Sequence, residues 1–254
     1  MKESSVKVKK ALPAIAVLLI IAVMIAAAFV PVVRSGAVRE QAVLYADAVD
    51  SRAMEALNNA RAYVDGNDFS TSLTGSVKAR VFGIPYTQNM SGTRVYKDGK
   101  FVGTVESKSA LVKVGFKTVA EDGKYTVARG KYKRKGFDYG SAAEYGYSDY
   151  VAAFGKPDIG LVKYDLDGAV TKAVAGDDGS YTFTLDVKRA AQYCGNAVKS
   201  ILGTEKYPQY KSVEFTLYTD GERPVKVVTR EQFRVDKYGG VDCTAECTEI
   251  FTWD

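Results

Sequence analysis

The chain of 254 residues contains no histidine. This absence excludes Ser-His-Asp and Cys-His nucleophilic triads and histidine-liganded zinc sites, and it removes the commonest general base near neutral pH. Three cysteines are too few for a four-thiolate zinc site or for a dense disulfide scaffold. An enzyme would have to rely on carboxylates, lysine or tyrosine, so the composition predicts a non-enzymatic protein that uses no cofactor.

Positive and negative charges nearly balance outside the first 33 residues. The formal net charge is +5; residues 1–33 hold four lysines and one glutamate, or +3, so residues 34–254 carry +2. Lysines alternate with acids there, without an extended basic stripe, which disfavours nucleic acid as a partner. The one local basic run, residues 130–135 (GKYKRK), fits either contact with anionic headgroups or a solvated strand end.

Only one long apolar run is present, and it lies near the N-terminus. Residues 11–33 are 23 residues without a charge, and they include Leu12, Leu19, Ile21 and Val33. As a helix this run extends roughly 35 Å, enough to cross a hydrocarbon core of ~30 Å. We expect a single-pass anchor in the lipid bilayer.

The orientation of that anchor follows from the lysines in residues 1–10. The positive-inside rule keeps this leader in the cytoplasm and predicts a cell-membrane protein with an extracytoplasmic C-terminal domain. The alternative is a signal peptide cleaved near residues 26–28 or 35–37, where small residues stand. Both interpretations place the remainder of the chain outside the cytoplasm.

Two helices are predicted after the anchor. Residues 37–64, within a juxtamembrane segment over 34–69, are rich in Ala, Arg, Glu and Leu and contain no proline or glycine. Asp186 is a typical N-cap for a second helix over 187–202, which Gly203 would end.

Residues 70–254 have the pattern of an antiparallel sheet with that second helix inserted. Asp-Gly pairs, the strongest short hairpin signal, separate segments that alternate apolar and polar side chains. These pairs stand at residues 98–99, 122–123, 167–168, 178–179 and 220–221. The expected fold class is α+β: an N-terminal transmembrane helix, then a long helix and a curved half-barrel of about nine to eleven strands packed on helices. Residues 133–157 are expected to form a long loop with a short helix at 141–145 or 148–154.

The order of these elements resembles the LolA-like fold, which the LppX and LprG group of mycobacterial lipoproteins shares. The resemblance rests on the lead helix around residues 54–57, the first strand over 73–82, the segment 178–186 (DGSYTFTLD) and the final strands over 213–251. It covers most of residues 45–254, and membrane-anchored exported proteins of low-GC bacteria have a similar C-terminal half. The resemblance implies an apolar cavity that holds acyl chains, and no catalytic residues.

The apolar face of the predicted sheet supplies the candidate binding site. Its side chains exceed what two short helices would cover, which predicts a cavity for a lipid or lipopeptide. The residues expected to line this cavity are Val112, Val114, Phe116, Val127, Phe183, Leu185, Phe215, Leu217, Phe233 and Val235. The alternative is a structural or interaction protein of the cell envelope, with a filled core and a protein partner. An enclosed apolar cavity of ~300 Å³ or more would favour ligand binding.

Two further groups of polar residues are candidate sites. Cys243 and Cys247 would lie ~13 Å apart on one face of a strand, too far to bridge each other. Buried reduced thiols are the favoured interpretation. The alternative is a bridge from Cys194 on the second helix to one of them, such as Cys247. Asp165 and Asp167 would share one strand face for a cation or for acid–base work, but a hairpin corner is favoured.

Overall fold

The computed structural model describes the chain in seven segments. They are residues 49–81, 83–109, 113–154, 159–164, 166–189, 208–235 and 240–253. Of the described residues, 67% are in strands and 16% are helical. The predicted α+β class is therefore wrong, because this part of the chain is nearly all one large antiparallel sheet.

The predicted helices fall only in part within the described residues. Among the described segments, no helix has the length and apolarity needed to cross a membrane. The predicted leader and anchor, with Leu12, Leu19, Ile21 and Val33, lie outside the described residues. Of the second predicted helix, residues 187–189 are described and are helical, and Asp186 caps them by accepting hydrogen bonds from the backbone N–H groups of Lys188 and Arg189.

Eleven strands and two helices of eight or more residues make up the described fold. Their bounds are α1 Ser51–Gly66, β1 Phe69–Val81, β2 Ile84–Lys97, β3 Lys100–Lys108, β4 Lys113–Glu121, β5 Lys124–Lys133, β6 Gly136–Gly146, α2 Tyr147–Phe154, β7 Val170–Ala175, β8 Ser180–Leu185, β9 Gln209–Asp220, β10 Arg223–Val235 and β11 Val241–Trp253.

The strands form a single sheet in the order β6-β5-β4-β3-β2-β1-β11-β10-β9-β8-β7. Every neighbouring pair is antiparallel. The sheet is thus two consecutive meanders, β1 to β6 and β7 to β11, joined in the middle by the pairing of the first strand with the last.

Asp-Gly pairs form tight turns between neighbouring strands. At residues 98–99 and 122–123 both turn residues have positive φ, 51° and 76° in the first turn and 50° and 72° in the second. This conformation matches the twist of a two-residue hairpin, and Asp and Gly adopt it at low cost. Residues 178–179 and 220–221 likewise join β7 to β8 and β9 to β10. These four predicted turns are confirmed.

Helix α1 begins later than the sequence predicts. The Asp50 carboxylate accepts hydrogen bonds from the backbone N–H groups of Arg52 and Ala53, at 2.8 and 3.4 Å, which is an N-cap. Val49 makes a bridge to Ala173 of β7, so residue 49 is extended and the helix starts at Ser51. The helix packs on β7 to β10, and it buries Ala53, Leu57, Ala60 and Val64.

The predicted long loop over residues 133–157 is wrong, because residues 136–146 form β6 and residues 147–154 form α2. This strand pairs with β5 after a turn at Gly136, whose φ is +130°. A register shift between Ala128 and Gly130 interrupts the alternation, which conceals the strand from a period-two pattern. Of the two short helices predicted as alternatives, the one at 148–154 corresponds to α2.

Candidate functional site

Most of the residues predicted to line a cavity lie on the inner face of the sheet, the face that carries α1. Seven of them are buried: Val114, Phe116, Phe183, Leu185, Phe215, Leu217 and Phe233. Val127 is half-buried against the same core, whereas Val112 and the side chain of Val235 lie outside what the structure describes. Phe183 stacks on Phe215 with ring centroids 4.8 Å apart. The described residues of this set form packed core.

An open space on the inner face lies beside this core, and we call it the inner cleft. It is bounded by β1, β2, β3, β10, β11 and the strap, which we define as residues 159–164. Its lining is Leu73, Met90, Thr93, Arg94, Phe101, Gly103, Thr104, Val105, Val162, Lys163, Val227, Thr229, Cys247 and Glu249. The volume, about 60 Å³, is well below the ~300 Å³ expected of a pocket for a whole small molecule.

Glycines explain why a hollow exists at this place. Gly75, Gly92 and Gly103 occupy inward positions on β1, β2 and β3, where neighbouring inward residues carry large side chains. A Cβ on Gly103 would lie 2.9 Å from the ring of Phe101, which turns across the glycine and forms a wall of the cleft. Glycine inside a strand often marks such a close approach, and this is the sequence signal that would have located the cleft.

A buried ion pair forms one side of the cleft. Arg94 Nε lies 2.6 Å from Glu249 Oε1, and the two side chains are 7% and 12% exposed. Thr71 donates a hydrogen bond to the same Glu249 oxygen at 2.5 Å. The Arg94 guanidinium also lies 5.7 Å from the Phe69 ring centroid. These contacts hold both side chains at the cleft wall.

The strap is held across the inner face by two polar contacts. Arg94 donates a hydrogen bond from an Nη atom to the carbonyl oxygen of Gly160 at 2.8 Å. Lys163 Nζ lies 2.6 Å from Glu231 Oε1, and Glu231 is 5% exposed. Between these contacts the strap buries Leu161 and Val162. The strap therefore closes the cleft through residues that belong to no helix or strand.

Cys247 contributes a thiol to the cleft lining. Burial raises the pKa of both the Cys247 and the Cys243 thiols to about 12, so both stay protonated at neutral pH and are poor nucleophiles. Neither forms a disulfide among the described residues, and they lie on the same face of β11 with Ala245 between them. Cys194 lies outside the described residues, so a bridge from it, the alternative to reduced thiols, stays a prediction.

The described residues bring together no group of three or more His, Cys, Asp or Glu side chains that would hold a metal ion. Asp167 is exposed and pairs with Arg61 at 2.9 Å, next to Gly168 with a φ of +62°. Asp165 is not described. Asp167 thus occupies a turn, as the favoured interpretation of the sequence expects.

No family model and no curated protein matches the chain. Solved structures that match include an S-type phycobiliprotein lyase from Guillardia theta, with 8% identity over 81% of this chain and 99% of that chain and a TM-score of 0.29. A DUF1329 family protein from Desulfovibrio piger matches with 10% identity, over 82% of this chain and 93% of that chain, with a TM-score of 0.30.

A LolA superfamily protein from Nitrosomonas europaea also matches, with 10% identity over 78% of this chain and 93% of that chain and a TM-score of 0.29. The LolA-like resemblance that the element order predicts thus recurs among the structural matches. At these identities and TM-scores the matches carry no argument about a ligand or an activity, which has to be made from the inner cleft itself.

Proposed function

We propose that this chain is a non-enzymatic binding module that accepts an apolar chain, such as the acyl chain of a lipid or lipopeptide, in the inner cleft. The observation that supports this is the distribution of side chains in the cleft. Most of the walls are apolar, and charged groups are confined to Arg94, Lys163 and Glu249. An amphipathic ligand fits this arrangement, with its apolar end between the strands and its polar end toward the charges.

The strap is the wall that we expect to move when a ligand enters. The cleft of about 60 Å³ has room for only part of an acyl chain, so binding requires widening. The strands around it are each hydrogen-bonded to neighbours on both sides, whereas the contacts named above hold the strap through Gly160 and Lys163. Moving the strap therefore breaks fewer backbone hydrogen bonds than moving a strand.

A second candidate function is an interaction protein with a filled core and a protein partner. The observation that favours it is the tight interior next to α1, where Phe183, Phe215 and Leu217 are fully buried. Exposed apolar side chains on the opposite face, among them Val95 and Ile250, would then contact the partner. This function predicts that no lipid occupies the inner cleft.

Photo-crosslinking of the full chain in cells fed a diazirine-labelled fatty acid separates the two functions. If the proposal is right, adducts map to peptides of β2 and β3 that carry Met90 and Val105. Val105→Trp fills the cleft and should lower those adducts several-fold. Val95→Trp is the matched control, because it places the same ring on the exposed face of β2.

Adducts confined to residues 11–33, or adducts that Val105→Trp leaves unchanged, would contradict lipid binding in the cleft and favour the interaction protein. Circular dichroism of both tryptophan variants checks that the sheet is retained, because an overpacked core also destabilises a fold.

The location outside the cytoplasm is proposed from the sequence of the first 37 residues. It holds whether the apolar run stays in the bilayer or is cleaved, since both routes export the remainder of the chain. External protease should cut the domain in spheroplasts without lysis. Cutting that requires lysis would contradict this location.

A further inference from the structure

The hairpin of β5 and β6 carries an unusual concentration of positive charge. It turns at Arg134 and Lys135, and β6 is the edge strand of the sheet. We call the ends of β3 to β6 around this turn, residues 106–109, 113 and 131–138, the basic corner. Its cations are Lys108, Lys113, Lys131, Lys133, Arg134 and Lys135. Five of them are exposed, and the side chain of Lys108 is 40% exposed.

The basic corner differs in charge from the rest of the domain. Six cations and two acids, Glu106 and Asp138, give it a net charge of +4. Residues 34–254 as a whole carry +2, so the remainder of that stretch carries −2. The corner therefore carries a net positive charge, whereas the other residues of 34–254 together carry a small net negative charge.

Aromatic rings form a platform within this corner, on the outer face of the sheet. Phe137 and Tyr139 lie flat over Gly115 and Gly130, where an added Cβ would come within 2.9 to 3.0 Å of their rings or hydroxyl. Tyr132 packs edge-on against Phe137 with centroids 5.2 Å apart, and it is 41% exposed. The two glycines thus let large rings cover the strands.

This platform positions two of the lysines. Lys113 Nζ lies 4.0 Å from the centroid of the Tyr132 ring, and Lys108 Nζ lies 5.3 Å from that of Phe137. Such cation–π contacts hold an ammonium group over a ring while leaving donors for another acceptor. The corner therefore combines ordered cations with an exposed tyrosine.

We propose that the basic corner docks on the anionic surface of a lipid bilayer. Basic side chains near such a surface are attracted to its headgroups, and tyrosine rings are suited to the boundary between headgroups and acyl chains. A polyanion without an apolar layer would use the cations but not the exposed Tyr132 ring, so the combination favours a bilayer. This contact is separate from the inner cleft, because the platform lies on the opposite face of the sheet.

The test uses the full chain and a tryptophan placed at the corner. Tyr132→Trp is compared with Tyr147→Trp, which is 50% exposed at the other end of β6, so that both variants replace an exposed tyrosine. Each is mixed with vesicles of brominated phosphatidylcholine, either alone or with 30% phosphatidylglycerol. We expect bromine to quench the tryptophan of the Tyr132→Trp variant only when phosphatidylglycerol is present, and 0.5 M NaCl to abolish the effect.

Charge variants complete the test in the Tyr132→Trp background. Arg134→Glu with Lys135→Glu should reduce quenching to the level seen with phosphatidylcholine alone. The matched control, Lys124→Glu with Lys172→Glu, makes the same change in net charge away from the corner and should leave quenching intact.

The proposal would be overturned if the tryptophan were quenched equally without phosphatidylglycerol, or if the corner variant did not change the quenching. It would also be overturned if the protein bound a soluble polyanion but its tryptophan were not quenched by the vesicles. Circular dichroism shows whether each variant is folded. The crosslinking experiment on Val105 reports on the cleft alone, so failure of either proposal is distinguishable from failure of the other.

Discussion

Gly75 of β1 lies directly against Cys247 of β11. The two residues are cross-strand partners, and a Cβ on Gly75 would come within 2.6 Å of Cys247 Sγ and 2.7 Å of the Glu246 carbonyl oxygen. The thiol thus occupies the space that a side chain at position 75 would need, at the junction of the two meanders.

Gly75→Ala should therefore destabilise the fold by about 1–3 kcal/mol, as overpacking of a filled site does. Urea unfolding followed by circular dichroism measures this loss. Gly140→Ala on β6 is the control, because nothing lies within 4 Å of its Cβ position, and it should leave the midpoint nearly unchanged. A Gly75→Ala midpoint equal to that of the control would mean that the strands accommodate the methyl group.

The Arg94–Glu249 pair should be costly to break from one side. Arg94→Met leaves a carboxylate that is 12% exposed without its cation, and the expected loss is about 3–5 kcal/mol. The double variant Arg94→Met with Glu249→Met removes both charges and should recover much of that stability. A double-mutant cycle from urea unfolding gives the coupling. Additive single losses would show that the two charges are not coupled.

Two leucines on the inner face distinguish its filled half from its open half. Leu57 of α1 is 1% exposed in the core, so Leu57→Ala should cost about 2–5 kcal/mol. Leu73 is only partly buried and already borders the cleft, so Leu73→Ala should cost less and should increase fatty-acid crosslinking. Thermal unfolding compares the two variants. Equal losses would indicate that the cleft is as tightly packed as the core.

Alkaline pH should weaken the fold through the buried thiols. The pKa of Cys243 and Cys247 is about 12 in the folded protein against 9.0 for an ordinary thiol. Because the thiols ionise at lower pH in the unfolded chain than in the folded protein, the free energy of unfolding decreases as the pH rises from 9 toward 12. Below pH 9 this contribution to stability is complete. Urea midpoints between pH 8 and 11 measure this, and Cys243→Ala with Cys247→Ala should flatten the dependence. An unchanged slope would exclude the thiols as its cause.

Four of the five Asp-Gly pairs locate hairpins of this sheet from the amino-acid sequence alone, whereas the pair at 167–168 lies in a turn before β7. At Asp98 and Asp122 the pair adopts a local conformation that needs little tertiary context. By contrast, the sequence pattern does not reveal β6, because an extra residue between Tyr139 and Ala142, opposite Ala128 and Gly130 of β5, shifts its alternation. It also does not show that Asp50 caps a helix within the segment predicted to be helical over 37–64.

The binding face is predictable, but the position of the cleft is not. Alternation identifies inward side chains such as Phe183 and Phe215, yet it does not show whether they meet each other or leave a space. That depends on which strands become neighbours. The pairing of β1 with β11 brings Cys247 beside Gly75, although 171 residues separate them in the sequence.

The same pairing has a consequence for how the chain acquires its fold. Most neighbouring strands within each meander are joined by short connections and can pair early. The edge of β1 stays uncovered until the last strand of the sheet, the 13-residue β11, has been made and has reached it. During that interval each half exposes strand edges to other chains. Completion of the sheet is then a single late event in which β11 pairs with β1. We therefore expect folding to be slow and sensitive to protein concentration, and we expect its last step to depend on Phe251 and Trp253 of β11.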